Sequence, residues 1–297
     1  MENLLQKYEA LIQAVDTGSF TNAARALSYT QSGVSRMIAE LERAWGIKLL
    51  IRGRGGVELT SEGRILLPYV RDIANMQRNL RMEIDNLSGL RSGVIRIGTF
   101  TSVAAQWLPN VIESFQASYP GMDFELSIGD YAEIAAWISS GRVDCGFLLL
   151  PIEEDFDTVS LGSDRLLAVL PPEHALAKKE VVALTDFEGA PFLLDEKGTA
   201  TMVTEIFREA GISPDIRLKT SDDYVIMSMV ESGLGVSILP ELILERVPYD
   251  LAIRPLDANP IREIGFAVRD MSSASLAVRT FQEYLMQGQG PASAHVG

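Results

Sequence analysis

The sequence is poor in the residues that carry most protein chemistry. It holds one cysteine and two histidines in 297 residues. Cys145, inside an apolar strand-like run, has no second thiol for an internal disulfide, so a reducing cytoplasm is the expected compartment. His174 follows Pro171-Pro172 in a turn-like stretch, and His295 falls in a small, polar tail beginning at Gln287. Neither belongs to a His/Cys/acid cluster with metal-ligand spacing. There is no phosphate loop and no nucleophile elbow, and Gly233-Leu-Gly235 lacks the rest of a dinucleotide fingerprint. The expectation is therefore no metal, no cofactor and no catalytic residue. No apolar run is long enough to span a membrane. The first residues, Met-Glu-Asn-Leu-Leu-Gln-Lys, lack a basic segment followed by an apolar one, so no secretory signal is expected. Exact repeats and low-complexity tracts are also missing.

A broad basic surface is missing too, since the net charge is −14. The acidity is unevenly placed. Residues 1–92 carry 12 Lys/Arg against 10 Asp/Glu, and residues 93–297 carry 14 against 30. Such asymmetry points to different partners for the two parts. Any phosphate contacts of the first part would be few and well placed. What the chain has in quantity is apolar residues, 47% of the total, enough for real cores in the two or three domains its length suits.

The first part reads as helical. Leu4, Leu5, Tyr8, Leu11, Ile12 and Val15 recur at spacings of three and four, and Gly18 ends that helix. Ser19 or Thr21 caps a short helix holding Ala23, Ala24 and Leu27. Ser28-Tyr29-Thr30 makes a turn. A longer helix runs from about Gln31 to Trp45, with Val34, Ile38, Leu41 and Trp45 inward, and Gly46 stops it. Two helices with a tight turn, the second opening on small polar residues, suit insertion of a helix end into the DNA major groove. Thr30 at the end of the turn, and Gln31, Ser32, Ser35 and Arg36, which share the first exposed face of the helix, are the candidate DNA contacts. Gln can read adenine, Arg a guanine or phosphate, and Ser either. The bland alternative is a capped, solvated helix start.

Leu49 to Leu59 then presents two extended pieces around a glycine-rich tip with Arg52 and Arg54. This is a wing-like hairpin or a plain loop, and beside a helix-turn-helix the wing is preferred, its arginines reaching phosphates or the minor groove. Thr60-Ser61-Glu62 caps a helix to about Leu87. Its Leu66, Val70, Ile73, Leu80, Ile84 and Leu87 form a narrow heptad seam with Gln77 interrupting, as in a dimer; a helix lying on its own domain is the alternative. Ser88 to Gly93 reads as a hinge. From there strands alternate with helices, implying parallel sheet with helical crossovers in two α/β lobes. Expected strands include Val94–Gly98, Phe124–Ile128, Val143–Leu150 and Leu166–Leu170, with one helix over Val103–Tyr119.

Residues 3–67 resemble the N-terminal domain of LysR-type transcriptional regulators. The resemblance rests on Ser19-Phe-Thr-Asn-Ala-Ala-Arg-Ala-Leu27, Thr30-Gln31, Val34-Ser35-Arg36, Leu41-Glu42, Leu49-Leu50 and Leu59-Thr-Ser-Glu-Gly63. It continues through Ile95-Arg-Ile-Gly98, Leu108-Pro109, Gly141 to Gly146 and Gly233 to Pro240. The family often has proline after the glutamine, where this chain has Ser32-Gly33, and an acid before the wing arginine, where it has Ile51. The resemblance implies an α+β multidomain protein: a winged helix-turn-helix, a long pairing linker helix and a two-lobed α/β periplasmic-binding-protein-like domain. The boundaries are 1–60 for DNA binding, 61–93 for the linker and hinge, and 94–297 for the effector domain. Within that domain one lobe takes about 94–162 with 270–297, and the other about 163–269.

Further implied are an imperfect inverted DNA repeat, a homodimer or homotetramer, contact with RNA polymerase, and a small-molecule effector between the lobes. Phe100, Thr101 and Ser102 after the first strand, Thr199 and Asp222 are the candidate effector contacts. Hydroxyls and free N–H groups at these helix starts suit a small carboxylate. Capping is the plain role for Asp222 and Asp223. An enzyme or a solute-binding protein on the same two-lobed fold is the alternative function, and residues 1–92 are what a solute receptor leaves unexplained.

Overall fold

The computed structural model describes residues 2–53, 56–87, 92–196 and 200–289. They group into two compact units, Met1–Ser92 with Ser139–Arg142, and Gly93–Ile138 with Val143–Gly297.

In the first unit, α1 (Glu2–Asp16) buries Tyr8, Ala10, Leu11 and Ala14, while Leu4 stays exposed despite its place in the apolar repeat. Ser19 caps α2 (Phe20–Ala26) by accepting from the Asn22 N–H. Ala23 and Ala24 are buried, small enough for close contact with α3 (Gln31–Trp45). Thr30 Oγ1 accepts from the Gly33 N–H at 3.1 Å and caps α3, and Val34, Ile38 and Leu41 face the core. Gly46 ends α3 at φ 69°, a left-handed conformation that costs glycine least. Strands β1 (Leu50–Gly53) and β2 (Gly56–Leu59) pair antiparallel, forming a wing. Thr60 then caps α4 (Ser61–Leu87), taking the Gly63 N–H at 2.9 Å, and α4 continues through Pro68.

Helix α4 departs from the expected seam in its first half. Leu67 and Val70 are buried in the core of the first unit, with Leu66 packed against it. The exposed stripe is instead Tyr69, Ile73, Met76, Leu80 and Ile84. A straight helix drifts by about 20° per heptad against a 3.5-residue repeat, so one seam does not serve both ends of the helix.

The second unit begins with β3 (Ser92–Thr99), α5 (Thr101–Gln106), α6 (Leu108–Ser118), β4 (Gly121–Ile128), α7 (Tyr131–Ser139), β5 (Cys145–Leu150) and β6 (Asp157–Leu170). The single helix expected over Val103–Tyr119 is two, because Pro109 has no N–H to continue the ladder and instead opens α6. Strands β3 and β5 are parallel, with Gly98 opposite Gly146. A Cβ on Gly146 would sit 2.9 Å from the side chains of Ile134 and Ile138, so glycine is what lets α7 lie on the sheet.

Next come β7 (Pro191–Asp195), α8 (Ala200–Ala210), β8 (Asp215–Thr220), α9 (Asp223–Glu231), β9 (Ser237–Pro240), α10 (Glu241–Leu244), β10 (Ala252–Pro255), β11 (Ile261–Val268) and α11 (Leu276–Tyr284). The sheet is mixed, not parallel throughout. Strand β11 runs antiparallel to both β5 and β6, and β6 antiparallel to β9 and β10. Strand β6 joins the lobes: Asp157–Arg165 pairs with β11, and Leu166–Leu170 with β9 and β10.

That last stretch is apolar at every position because both faces are covered. Leu166, Ala168 and Leu170 join Phe187, Phe192 and Phe207, while Leu167 and Val169 join Ile226, Met227 and Ile243. The other lobe gathers Phe115, Phe124 and Phe281, with ring centroids 5.2–5.7 Å apart.

Candidate functional site

The start of α3 carries the first candidate surface. Thr30, Gln31, Ser32 and Arg36 are exposed and Ser35 is partly buried, while Val34 and Ile38 turn inward. The Thr30 and Ser32 hydroxyls lie 3.2 Å apart. Arg36 is 82% exposed along its side chain and pairs with Glu40 at 3.0 Å, one turn on. Lys7 reaches the same carboxylate at 3.0 Å. Hydrogen bonds from Lys7 and then Arg36 hold the Glu40 carboxyl below the usual range. Arg52 lies on β1; Arg54 lies outside the described residues.

Two buried ties hold this surface in place. Glu42, near the end of α3, accepts from the backbone N–H groups of Leu49 (2.9 Å) and Leu50 (3.2 Å) and from Lys48 (2.6 Å). One carboxylate thus fixes the end of α3 to the first wing strand. Arg71 of α4 is buried and forks onto Asp16 of α1, with Nη1 at 3.0 Å and Nη2 completing the pair.

The second candidate site is a cavity of about 320 Å³ in the second unit. Its walls come from the C-terminal ends of strands and the helix starts that follow, where open α/β sheets place ligands. One lobe contributes Phe100, Thr101 and Ser102 after β3, Ile128 at the end of β4, and Asp130, Tyr131 and Glu133 after it. The other contributes Asp195 from β7, Ser221 and Asp223 at α9, and Pro240. Arg262 of β11 completes the lining.

Arg262 is 3% exposed, and each of its three guanidinium nitrogens has a partner. Its Nε donates to Asp164 at 2.8 Å, its Nη1 to the Tyr131 hydroxyl at 2.9 Å, and its Nη2 to Ser102 Oγ at 2.8 Å and to Asp164 at 2.5 Å. Its Cζ lies 5.2 Å from the Phe100 ring centroid. Arg262 and Asp164 are direct partners across the β6–β11 ladder, two residues before β6 begins pairing with β9. The remaining oxygen of Asp164 accepts from the Leu242 N–H at 3.0 Å. Burial raises the Asp164 carboxyl, against the pull of Arg262. Asp223 is pushed up to about 7, by burial first and then by Asp195, with Arg262 opposing.

Residues 5–64 match the bacterial regulatory helix-turn-helix protein model of the lysR family, and residues 88–290 match the LysR substrate binding domain. The chain belongs to the LysR family. The HTH-type transcriptional regulator YvbU of Bacillus subtilis, itself uncharacterised, is 30% identical across 94% of this chain and 96% of its own length. A full-length OxyR variant of Pseudomonas aeruginosa has the same fold, with a TM-score of 0.71, 20% identity, and coverage of 97% of this chain and 98% of that one. CbnR, solved in complex with its target DNA, aligns with a TM-score of 0.68 and 21% identity over 95% of this chain and 99% of that one.

This LysR regulator thus has a DNA-binding helix-turn-helix and a substrate-binding domain. Among the described residues no helix is long and apolar enough to cross a membrane. Of the effector candidates, Phe100, Thr101 and Ser102 line the cavity, and Thr199 lies outside the described residues. Asp222 is not on the lining; it caps α9, accepting from the N–H of Tyr224 (2.9 Å) and Val225 (3.3 Å), and its neighbour Asp223 faces the cavity instead. The described lining residues also include the carboxylates of Asp130, Glu133, Asp195 and Asp223 and the guanidinium of Arg262, which pairs with Asp164. Tyr131, Asp195 and Arg262 escaped sequence reasoning. The adjacent charges Arg262-Glu263, just before the apolar run Ile264–Val268, were the best local signal for Arg262.

Proposed function

We propose that this regulator reads an imperfect inverted repeat in double-stranded DNA through the start of α3. Gln31, Ser32, Ser35 and Arg36 contact base edges, Thr30 caps the helix beside the backbone, and Arg52 and Arg54 of the wing hold phosphates or enter the minor groove. The exposed polar start of α3, opposite a well-packed Val34–Ile38–Leu41 face, is the observation that carries this reading. The protein works in the cytoplasm as a homodimer or homotetramer, paired along the exposed apolar stripe of α4. Domain boundaries near 60 and 93 separate the reading head, the linker and the effector domain.

A small molecule in the cavity of the second unit modulates DNA geometry and contact with RNA polymerase. The convergence of Phe100, Thr101 and Ser102 with Asp195, Asp223 and Arg262 around that cavity supports the location. Arg52→Ala is expected to weaken binding to the chain's own upstream DNA and to random duplex alike. Gln31→Ala is expected to reduce discrimination between sites, by about 1–3 kcal/mol if it makes a bidentate base contact. Fluorescence anisotropy on both duplexes separates the two, and equal loss on all sequences for Gln31→Ala would count against base reading.

A further inference from the structure

We propose that the cavity of the second unit takes a small zwitterion, an amino acid whose carboxylate accepts from the Ser102 and Tyr131 hydroxyls and whose ammonium pairs with Asp223. This rests on the reading of that cavity as the effector site and gives the ligand a chemical class.

The carboxylate end follows from Arg262. Its guanidinium donates to the Tyr131 hydroxyl at 2.9 Å and to Ser102 Oγ at 2.8 Å. A hydroxyl that accepts from an arginine still has its own hydrogen to give. Among the described residues neither of these hydroxyls donates to a protein acceptor. Both residues line the cavity, so two donors polarised by one buried guanidinium are open to a ligand there. Two donors match the two oxygens of a carboxylate, and the Arg262–Asp164 pair stays intact.

The ammonium end follows from Asp223. Its carboxylate is largely buried, lines the cavity and takes no hydrogen bond among the described residues: its surroundings act on it through burial and charge alone. Asp130 and Glu133, by contrast, accept each other's backbone N–H groups, and Asp195 is also engaged. A buried carboxylate without a hydrogen bond is costly, and a ligand ammonium supplies both the bond and the counter-charge. Burial first, then Asp195 and Asp222, raise this carboxyl to about 7, with Arg262 opposing, so at pH 8 it is mainly ionised. Its charge is felt at the Tyr131 hydroxyl, which makes the two seats neighbours in one cavity.

A ligand with one charged end meets half of this site. A simple carboxylate would satisfy the hydroxyls but bring a second negative charge beside Asp223. A simple amine would pair with Asp223 but leave both hydroxyl hydrogens unmatched. A zwitterion satisfies both ends and adds no net charge, with its carbon stem along Phe100 and Ile128. A cavity of about 320 Å³ is at the small end for ligand sites, which suits a molecule of amino-acid size.

The test titrates the full chain calorimetrically at pH 8 with unbranched ω-amino acids of two to six carbons. The carboxylic acid and the primary amine of each chain length, lacking the second group, are titrated beside them, with melting followed in parallel. At least one amino acid is expected to bind at least tenfold more tightly than both its acid and its amine, and to raise the melting temperature by mass action. Asp223→Asn should weaken that amino acid at least tenfold and tighten the matching acid, a reversal that loss of structure alone does not produce. Tyr131→Phe should weaken the acid and the amino acid alike. An acid that binds as tightly as its amino acid, and is weakened by Tyr131→Phe, would overturn the zwitterion class and leave the cavity an effector site. An amine that binds more tightly than its amino acid, or binding of none of the probes, would overturn the proposal. An amino acid that binds without changing affinity for the upstream DNA would uphold the ligand class and overturn the effector reading.

Discussion

Glu42 and Asp223 are both partly or fully withdrawn from water, yet they respond to pH in opposite directions. For Glu42, burial works against the charge, but hydrogen bonds from Lys48, Leu49 and Leu50 prevail and its carboxyl lies below the usual range. Its contribution to stability is therefore present above the unfolded carboxyl's pKa and lost as pH falls through the lower folded value. Glu42→Gln should cost about 1–3 kcal/mol near pH 7 and less in acid, read from melting at both; an equal cost would mean the charge is not what matters. For Asp223 the folded value is raised to about 7, so its ionisation opposes folding increasingly as pH climbs from the ordinary carboxyl range through 7. Asp223→Asn should then raise the melting temperature at pH 8 and change it little at pH 4, by about 2–4 °C for each kcal/mol relieved. The Arg262–Asp164 pair is a third case. Asp164→Asn leaves a buried guanidinium without its counter-charge, and a loss of about 3–5 kcal/mol is expected in denaturant melts. At this scale the helix-start residues were legible because their signal is local: a turn and a polar face within nine positions, Ser28 to Arg36. Arg262 and Asp164 were not, being 98 residues apart and joined only by strand register.

Helix α4 shows how far periodicity alone reaches. Its heptad pattern predicted a long helix correctly, but which side faces the core depends on α1 and the wing packing against its first turns. The stripe left over, Tyr69, Ile73, Met76, Leu80 and Ile84, is exposed in the single chain. Ile73 and Leu80 lie on it by both readings, so replacing both with Asp should abolish the dimer in sedimentation while the helical circular dichroism persists. A dimer that survived would place the pairing surface elsewhere. Strand β6 was half read. Leu166–Leu170 announces itself by an unbroken apolar run, whereas Asp157–Arg165 alternates with exposed polar residues and glycine and is held as a strand by β11. The antiparallel course of β6 and β11 follows from that same long strand, which local alternation of strands and helices did not predict.

Taken whole, the molecule pairs a near-neutral reading unit with an acidic ligand-binding unit, and the charge asymmetry along the chain already pointed to that division. The family and its two-part organisation were legible because they rest on many local motifs spread over the chain. The lining of the cavity was not, because Asp130, Glu133, Asp195, Asp223 and Arg262 come from separate stretches and meet only in the fold. The most direct test of the central claim is the affinity of the purified full chain for its own upstream DNA against random duplex at one moderate salt concentration. A preference on the order of 1,000-fold or more, reduced about tenfold or more in Gln31→Ala, is the predicted result. Equal affinity for the two duplexes would contradict the claim that the start of α3 reads sequence.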